Sequence, residues 1–470
     1  MIVDSPPGQA YVSGVGRVDR LLVIGGGMAG LAAAAAAAEA GARVTVVEKC
    51  DSLGGSAAMS AGIVWTAPDF QTLRHVVPGG DPALGQALID GFWPAVEWLR
   101  STGVSVSDRW EGQMGFGSAV RVDIKSLFGA WQKKVVSSGG AILVESPARN
   151  LTIDEAGRVT GATVHTPDGP RDIRADAVLL ATGGFQGDPE LLATFIGGGA
   201  DSMLVRSNRG SVGDGFRFGR EVGGSASRCL DGFYGHLVPS PMAELRQDQF
   251  LELTQYYSNH CMLANRLGHR FTDESLGDEV SNQATLRQPG SRAVLLCDER
   301  IHTTYAATAP YPHGQVIDRI AAADAAGGRH ASKRTMEELL DAVADWGVPV
   351  RALASTLDQW AAAAAGDETA LDVPRGVRPE PFLDPPFHAL EVQPAITFPF
   401  GGLRVDPDGR VLDHDGVAVP GLFAAGADAG GLQDVRYVGG LALGLVFGPR
   451  AVRAAIGARS AARREVVTNG

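Results

Sequence analysis

Gly25, Gly27 and Gly30 stand at the spacing Gly-x-Gly-x-x-Gly, and Glu48 follows the last of them by 18 residues. These residue types at these intervals suit a dinucleotide. The first glycine turns the chain, the second lets a pyrophosphate approach the backbone, and the third allows a helix to lie close to a strand. A helix opening at that point aims unpaired N–H groups and a positive dipole end at the phosphates. Glu48 then stands where a carboxylate accepts the hydroxyls of an adenosine ribose. Because NAD and FAD share the adenosine diphosphate half, the motif alone does not separate them.

The glycines work only if a strand delivers them and a helix follows. Residues 20–24 read as a short buried strand, 28–40 as an alanine-rich helix and 43–48 as a second strand, which makes one βαβ unit. Further strands are expected at 141–144, 159–165 and 177–181, with a hairpin turn at Pro167-Asp168-Gly169. A long middle region, 236–386, is helical in composition and richer in Tyr, His and charge, with an alanine-rich helix near 356–366. Strand-like patterning returns from Phe387, through 402–406, a Pro-Asp-Gly turn at 407–409, and 421–425. The expected organisation is an α/β, Rossmann-like nucleotide-binding domain made of residues 1–235 and 387–470, carrying an inserted α+β capping domain at 236–386.

Composition narrows the class. The 470 residues are 45% hydrophobic and 20% charged, ordinary for a packed globular protein. A net charge of -12 without any Lys/Arg run argues against nucleic acid or an anionic membrane as partner. The four cysteines, Cys50, Cys229, Cys261 and Cys297, form no CxxC pair and read as buried thiols. Residues 1–18 lack the basic start and apolar core of a secretory signal, so a cytoplasmic address is expected. The most apolar window, 21–47, is broken by Glu39 and Arg43, and no membrane span is expected.

Three later segments bear on the cofactor: Leu53-Gly54-Gly55-Ser56, Ala181-Thr182-Gly183-Gly184-Phe185, and residues 421–428 ending in Gly426-Ala-Asp428. With the Gly213-Asp214-Gly215 loop and the 265–274 stretch (Asn265-Arg-Leu-Gly-His-Arg-Phe271 and Glu274), they resemble the flavoprotein family of fumarate reductase and succinate dehydrogenase, which includes the 3-ketosteroid dehydrogenases. The resemblance implies FAD, with Lys49, Gly54, Gly55, Ser56, Thr182, Gly183, Gly184, Asp214, Gly426, Asp428 and Leu443 joining the fingerprint residues around it. Asp428 would bond the ribitol or pyrophosphate side of the flavin. Residues 56–66 contain no histidine for a covalent link, so the FAD is expected to be noncovalent.

The family moves hydrogen on adjacent carbons, a hydride through the flavin and a proton through a protein group. Its fumarate branch grips carboxylates with a His in a HxxGG-like stretch and an Arg before a late GG pair. Here those stretches read Thr397-Phe-Pro-Phe-Gly401-Gly402 and Tyr437-Val-Gly439-Gly440, without either clamp. Tyr437 followed by glycines resembles the ketosteroid dehydrogenases instead, where a Tyr hydroxyl and a backbone N–H hold a ketone oxygen. The nearer form is Tyr-x-Ser-Gly, with Gly439 in place of Ser. Tyr437 and Gly440 are therefore the expected carbonyl-polarising pair.

The proton acceptor stays open among His302, Tyr305, Tyr257 and His260, with Arg300 an alternative to His302. Arg436 reads as an ion-paired residue or an anion contact. Trp65, Phe398 and Phe400 read equally as cavity walls or core. The expected reaction is desaturation beside the carbonyl of an apolar cyclic ketone, with an unidentified electron acceptor; reduction of an enone or an unsaturated carboxylate is the alternative.

Overall fold

The structure, a computed structural model, describes residues 20–367 and 369–468, with side chains to 457. Residues 1–18, on which the absence of a secretory signal was argued, lie outside the described residues.

Leu21 to Ile24 are all buried, the continuous apolar run of a parallel strand covered on both faces. The strand Arg20–Ile24 pairs in parallel with Arg43–Val47 on one side and Ala177–Leu180 on the other. Arg43–Val47 continues to Ala141–Leu143, and Ala177–Leu180 to Ala418–Ala424. Arg410–Leu412 closes one edge of this sheet in antiparallel fashion. Strand order reverses between Arg20–Ile24 and Ala177–Leu180, and the crevice beyond their carboxyl ends is where such sheets bind ligands. This is the expected Rossmann-like layer, and a strand from the last sixty residues belongs to it.

The helix Met28–Glu39 is buried almost all round, because it lies between the sheet and the helices Ile124–Ser137 and Gly440–Thr468. Its alanines make that triple contact possible. Residues Gly440–Gly457 are long and apolar enough to cross a membrane by length and composition, yet 67% of that window is buried inside the protein. A three-stranded antiparallel meander, Ala148–Ile153, Val159–Thr166 and Gly169–Arg174, adds to the same domain and turns at Pro167-Asp168.

A second sheet is organised around the 13-residue strand Phe387–Pro399. It pairs with Leu204–Val205, Phe233–Pro239, Ala293–Asp298 and His330–Lys333, and Ala293–Asp298 pairs in turn with Met262–Asn265. Alternate residues feed two cores. Leu263, Leu295 and Leu390 pack with Ile320 on one face, and Met262, Leu296 and Ala389 with Leu339 and Trp360 on the other. The capping region is thus α+β, with a sheet rather than helices at its centre. The boundary expected at 235/236 cuts the strand Phe233–Pro239, and the one at 386/387 leaves the sheet's longest strand outside the insert. Runs apolar on both faces carry no alternation to mark them as strands, so composition misdirected that reading.

Cys261 and Cys297 are buried, whereas Cys50 and Cys229 are half-buried. Gly30 illustrates how tight the nucleotide domain is: a Cβ there would meet the Gly25 carbonyl oxygen at 1.9 Å. Gly30→Ala must push the helix off the strand, at a cost of about 1–3 kcal/mol or more. The expected result is a lower Tm together with loss of yellow flavin from the purified chain; a variant with wild-type Tm and flavin content would contradict this packing.

Candidate active site

A cavity of about 780 Å³ opens at the strand-order reversal and runs beneath the capping sheet. One end suits the diphosphate cofactor. The helix Met28–Glu39 begins after Gly27 without any side-chain cap, so its first N–H groups are available to an anion. A Cβ on Gly27 would have only the Gly54 carbonyl oxygen within 4 Å, at 3.9 Å, which leaves room for a phosphate against the backbone. Glu48 accepts from the Gly26 and Cys50 amides at 2.8 and 2.9 Å. Those two bonds fix the carboxylate while leaving lone pairs for ribose hydroxyls. Gly55, Ser56, Thr182, Gly183, Gly184, Gly426 and Leu443 line the same space. The donor-rich glycine backbone and the ribose acid fit FAD, and these residues would hold it.

Two of the expected cofactor ligands are engaged elsewhere. Asp214 receives the Lys49 ammonium at 2.5 Å. Asp428 is 1% exposed, accepts from the Thr182 amide and, at 3.0 Å, from its hydroxyl, while that hydroxyl accepts from the Gly215 amide at 2.9 Å. Neither carboxylate is among the groups lining the cavity. Asp428 is a clasp between three chain segments, and its position in the motif serves the shape of the cradle.

The other end of the cavity is aromatic. Tyr437 stacks on Tyr234 with ring centres 3.6 Å apart, and Trp65 and Phe398 meet its ring edge-on at 5.3 and 5.9 Å. Tyr234 and Phe398 are opposite one another in the capping sheet, so the cap itself supplies two walls. Phe400 packs behind them in the same cluster. The Gly440 amide donates to the Tyr437 hydroxyl at 2.7 Å; this leaves the phenolic hydrogen free to point at another acceptor. Burial pushes Tyr437 up to about 12, against the opposing Gly440 amide, and the group is a neutral donor near pH 7. Gly439 stands where the ketosteroid pattern has Ser. Its φ is +102°, and a Cβ would come 1.8 Å from the Trp65 carbonyl oxygen; the backbone excludes Ser here.

Behind Tyr234 runs a buried polar chain that the sequence reading missed. The Tyr234 hydroxyl meets His236 Nε2 at 2.7 Å, and His236 Nδ1 forms a very short bond to Asp278 Oδ2. Burial holds Tyr234 and Asp278 well above their ordinary ranges and His236 well below, so it disfavours charge on each of the three. Only Tyr234 and Asp278 reach the cavity. The strand periodicity of residues 233–239, which sets Tyr234 and His236 on one face, was the signal available. Arg206 also lines the cavity and was missed, because nothing around it in sequence is a motif. Its guanidinium donates to Thr254 Oγ1 at 3.0 Å, the Phe250 carbonyl at 3.0 Å, Tyr256 OH at 3.1 Å and Thr397 Oγ1 at 3.4 Å.

The expected proton acceptors lie elsewhere. Tyr257 is 3% exposed in the outer core of the cap. Tyr305 stacks on His260 at 3.5 Å. His302 sits between Glu299 and Asp318, at 3.1 and 3.0 Å, and its pKa is raised by those carboxylates against the lowering effect of burial. None of the four lines the cavity. Arg300 pairs with Glu380, and Arg436 bonds Glu279 at 3.2 Å while lying over Phe116.

A nucleotide cradle on a Rossmann-like sheet, opening into an aromatic cavity beneath an α+β cap, defines an FAD-dependent oxidoreductase. Residues 20–443 match the model of the FAD binding domain family, and the chain belongs to that family. It is 26% identical to a probable fumarate reductase of Shewanella frigidimarina, over 94% of this chain and 75% of that one. It is also 26% identical to a 4-oxocyclohexanecarboxylate 2-dehydrogenase of Sinomonas cyclohexanicum, over 91% and 90%. Its fold matches a 3-ketosteroid Δ4-(5α)-dehydrogenase of Rhodococcus jostii RHA1 with TM-score 0.73 at 21% identity, covering 95% and 98%. The chain is an FAD-dependent oxidoreductase of CH–CH groups, within the fumarate reductase/succinate dehydrogenase group of flavoproteins.

Asp428 offers a pH test. Burial, its largest influence, pushes the carboxyl up to about 7 despite the Thr182 donors, from an ordinary value of 3.8. The folded chain therefore holds this proton more tightly than the unfolded one. That contribution is fully present below about pH 4 and is lost as pH rises to about 7. Relative to Asp428→Asn at matched flavin content, the wild type should lose on the order of a few kcal/mol of unfolding free energy across that window and run parallel above it. Identical pH profiles would show that Asp428 is ionised throughout.

Proposed function

We propose that the enzyme forms, or in reverse reduces, a carbon–carbon double bond beside the carbonyl of a cyclic ketone. The observation that carries this reading is the convergence of the Tyr437 hydroxyl and the Gly440 amide, 2.7 Å apart, on a cavity walled by Trp65, Tyr234 and Phe398. A ketone's α-hydrogen becomes acidic only when charge on its oxygen is stabilised, and preorganised donors in a water-poor site do this well. Bound FAD supplies the hydride acceptor or donor for the β-carbon.

Tyr437 donates to the carbonyl oxygen, and Gly440 N–H, released from Tyr437 as that bond forms, is the second donor. The aromatic rings exclude water and present a flat face to a ring. Tyr234 handles the α-proton: its oxygen takes that proton while its own passes to His236 Nε2, and the imidazole's Nδ1 proton passes to the Asp278 carboxylate, whose hold on a proton is strengthened by burial. Reduction runs the same transfers backwards. The relative that acts on 4-oxocyclohexanecarboxylate supports a ring ketone as substrate. Reduction of an unsaturated carboxylate has the likeness to fumarate reductase in its favour, although Arg300 and Arg436 are both committed to carboxylates.

Anaerobic bleaching of the oxidised flavin by a panel of cyclic ketones is the direct test. Active wild type with Tyr437→Phe slowed about 10²–10³-fold and its flavin retained is the expected outcome; undiminished turnover in that variant sinks the assignment. Tyr234→Phe should likewise slow bleaching, by about 10²–10⁴-fold, and should suppress the exchange of ketone α-hydrogens into deuterated water catalysed by the oxidised enzyme. Exchange at the wild-type rate in Tyr234→Phe would place the proton on another group.

A further inference from the structure

Three Lys or Arg side chains line the cavity: Lys49, Arg206 and Arg436. Two have their own carboxylates, Asp214 for Lys49 and Glu279 for Arg436. Arg206 has none within ion-pair distance among the described residues, although it is only 7% exposed. Of the other acids facing this space, Asp278 is committed to His236 and Glu48 to the Gly26 and Cys50 amides.

The partners Arg206 does have are a carbonyl and three hydroxyls, all neutral. A guanidinium carries five N–H groups. Nε uses one, and Nη2 uses both of its own on Phe250 and Tyr256. Nη1 has only a long contact to Thr397, which leaves one N–H with no acceptor. A buried cation with neutral neighbours and a spare donor is costly unless a ligand brings the opposite charge.

The position is built. The Arg206 amide donates to the Ile396 carbonyl at 2.7 Å, which fixes the residue beside Thr397 and Phe398. Tyr256, bonded to the guanidinium, has its ring 5.0 Å from His236, which in turn bonds Tyr234. The cation therefore stands at the far end of the same row of rings that begins at Tyr437.

We propose that Arg206 is an anion subsite of the substrate cavity, so that the substrate is a cyclic keto acid whose carboxylate lies on Arg206 while its ketone lies on Tyr437 and Gly440. The ketone half of this statement rests on the function proposed above; the anion half stands on Arg206 alone. Thr397 and Tyr256 hydroxyls are placed to share the carboxylate, and the planar fork of arginine suits two oxygens at once.

The test is equilibrium binding to the oxidised holoenzyme at neutral pH, read by calorimetry and by perturbation of the flavin spectrum. Four probes are compared: 4-oxocyclohexanecarboxylate, its methyl ester, cyclohexanone and cyclohexanecarboxylate. Wild type should bind the keto acid about 10–100-fold more tightly than its ester, and should bind cyclohexanecarboxylate measurably although it has no ketone. In Arg206→Met both acids should weaken to the level of the ester, with the ester itself unchanged. A wild type that prefers the ester, or binds both equally, overturns the subsite without recourse to any variant. So does an Arg206→Met protein, with flavin content and Tm intact, that keeps the preference for acids. Failure of the ketone reading looks different: cyclohexanecarboxylate would bind as well as the keto acid, and Tyr437→Phe would leave both unchanged.

Discussion

The first and last helices of the nucleotide domain touch with almost nothing between them. A Cβ on Gly448 would lie 2.5 Å from the Ala29 carbonyl oxygen, and one on Gly444 would lie 2.9 Å from the Ala29 amide nitrogen. Small residues on both surfaces let the helix Gly440–Thr468 settle onto Met28–Glu39. The two helix N-termini, Gly440 and Met28, then both border the cavity. One terminus opens after Gly27 with uncapped N–H groups that suit a phosphate; the other supplies the amide beside Tyr437. The relative placement of these two helix N-termini is thus set by a glycine–alanine contact between the helices.

The capping sheet does the complementary work. Its strands Phe233–Pro239 and Phe387–Pro399 bring Tyr234, Thr397 and Phe398 to the aromatic end of the cavity, with His236 behind Tyr234. The chemistry there depends on dryness. Burial disfavours charge on Tyr234, His236 and Asp278 alike. The Arg206 cation stands in contrast to them. Within the described residues it is the one cavity-lining Lys or Arg that has not been given an acid.

The nucleotide domain was legible in the sequence because its signals are local. Gly25, Gly27, Gly30 and Glu48 lie within one βαβ unit, and the turn chemistry at Pro167 to Gly169 is a property of a few residues. The bond between the Gly440 amide and the Tyr437 hydroxyl is local in the same sense, since it joins neighbours in one short stretch. The Tyr234–His236–Asp278 chain was not legible, since Tyr234 and His236 meet Asp278 only after the cap has folded. His302 was attractive as a lone titratable group in the right region, but it lies outside the cavity lining, between two acids. Asp428 was read as a ligand from its place in the motif. Its side chain points into the protein, toward Thr182, a direction no linear pattern encodes.

The parallel sheet also has a history in time. Leu179 pairs with Phe423, a partner over half the chain away, so the strand Ala177–Leu180 leaves the ribosome long before its neighbour exists. Until then one edge of the sheet is open, and the helix Met28–Glu39 lacks the cover of Gly440–Thr468. Contacts of such separation are slow to form and leave apolar surface and strand edges exposed meanwhile. A chain that gathers its cofactor cradle from both termini is therefore committed to acquiring FAD late, after synthesis has reached its last helix.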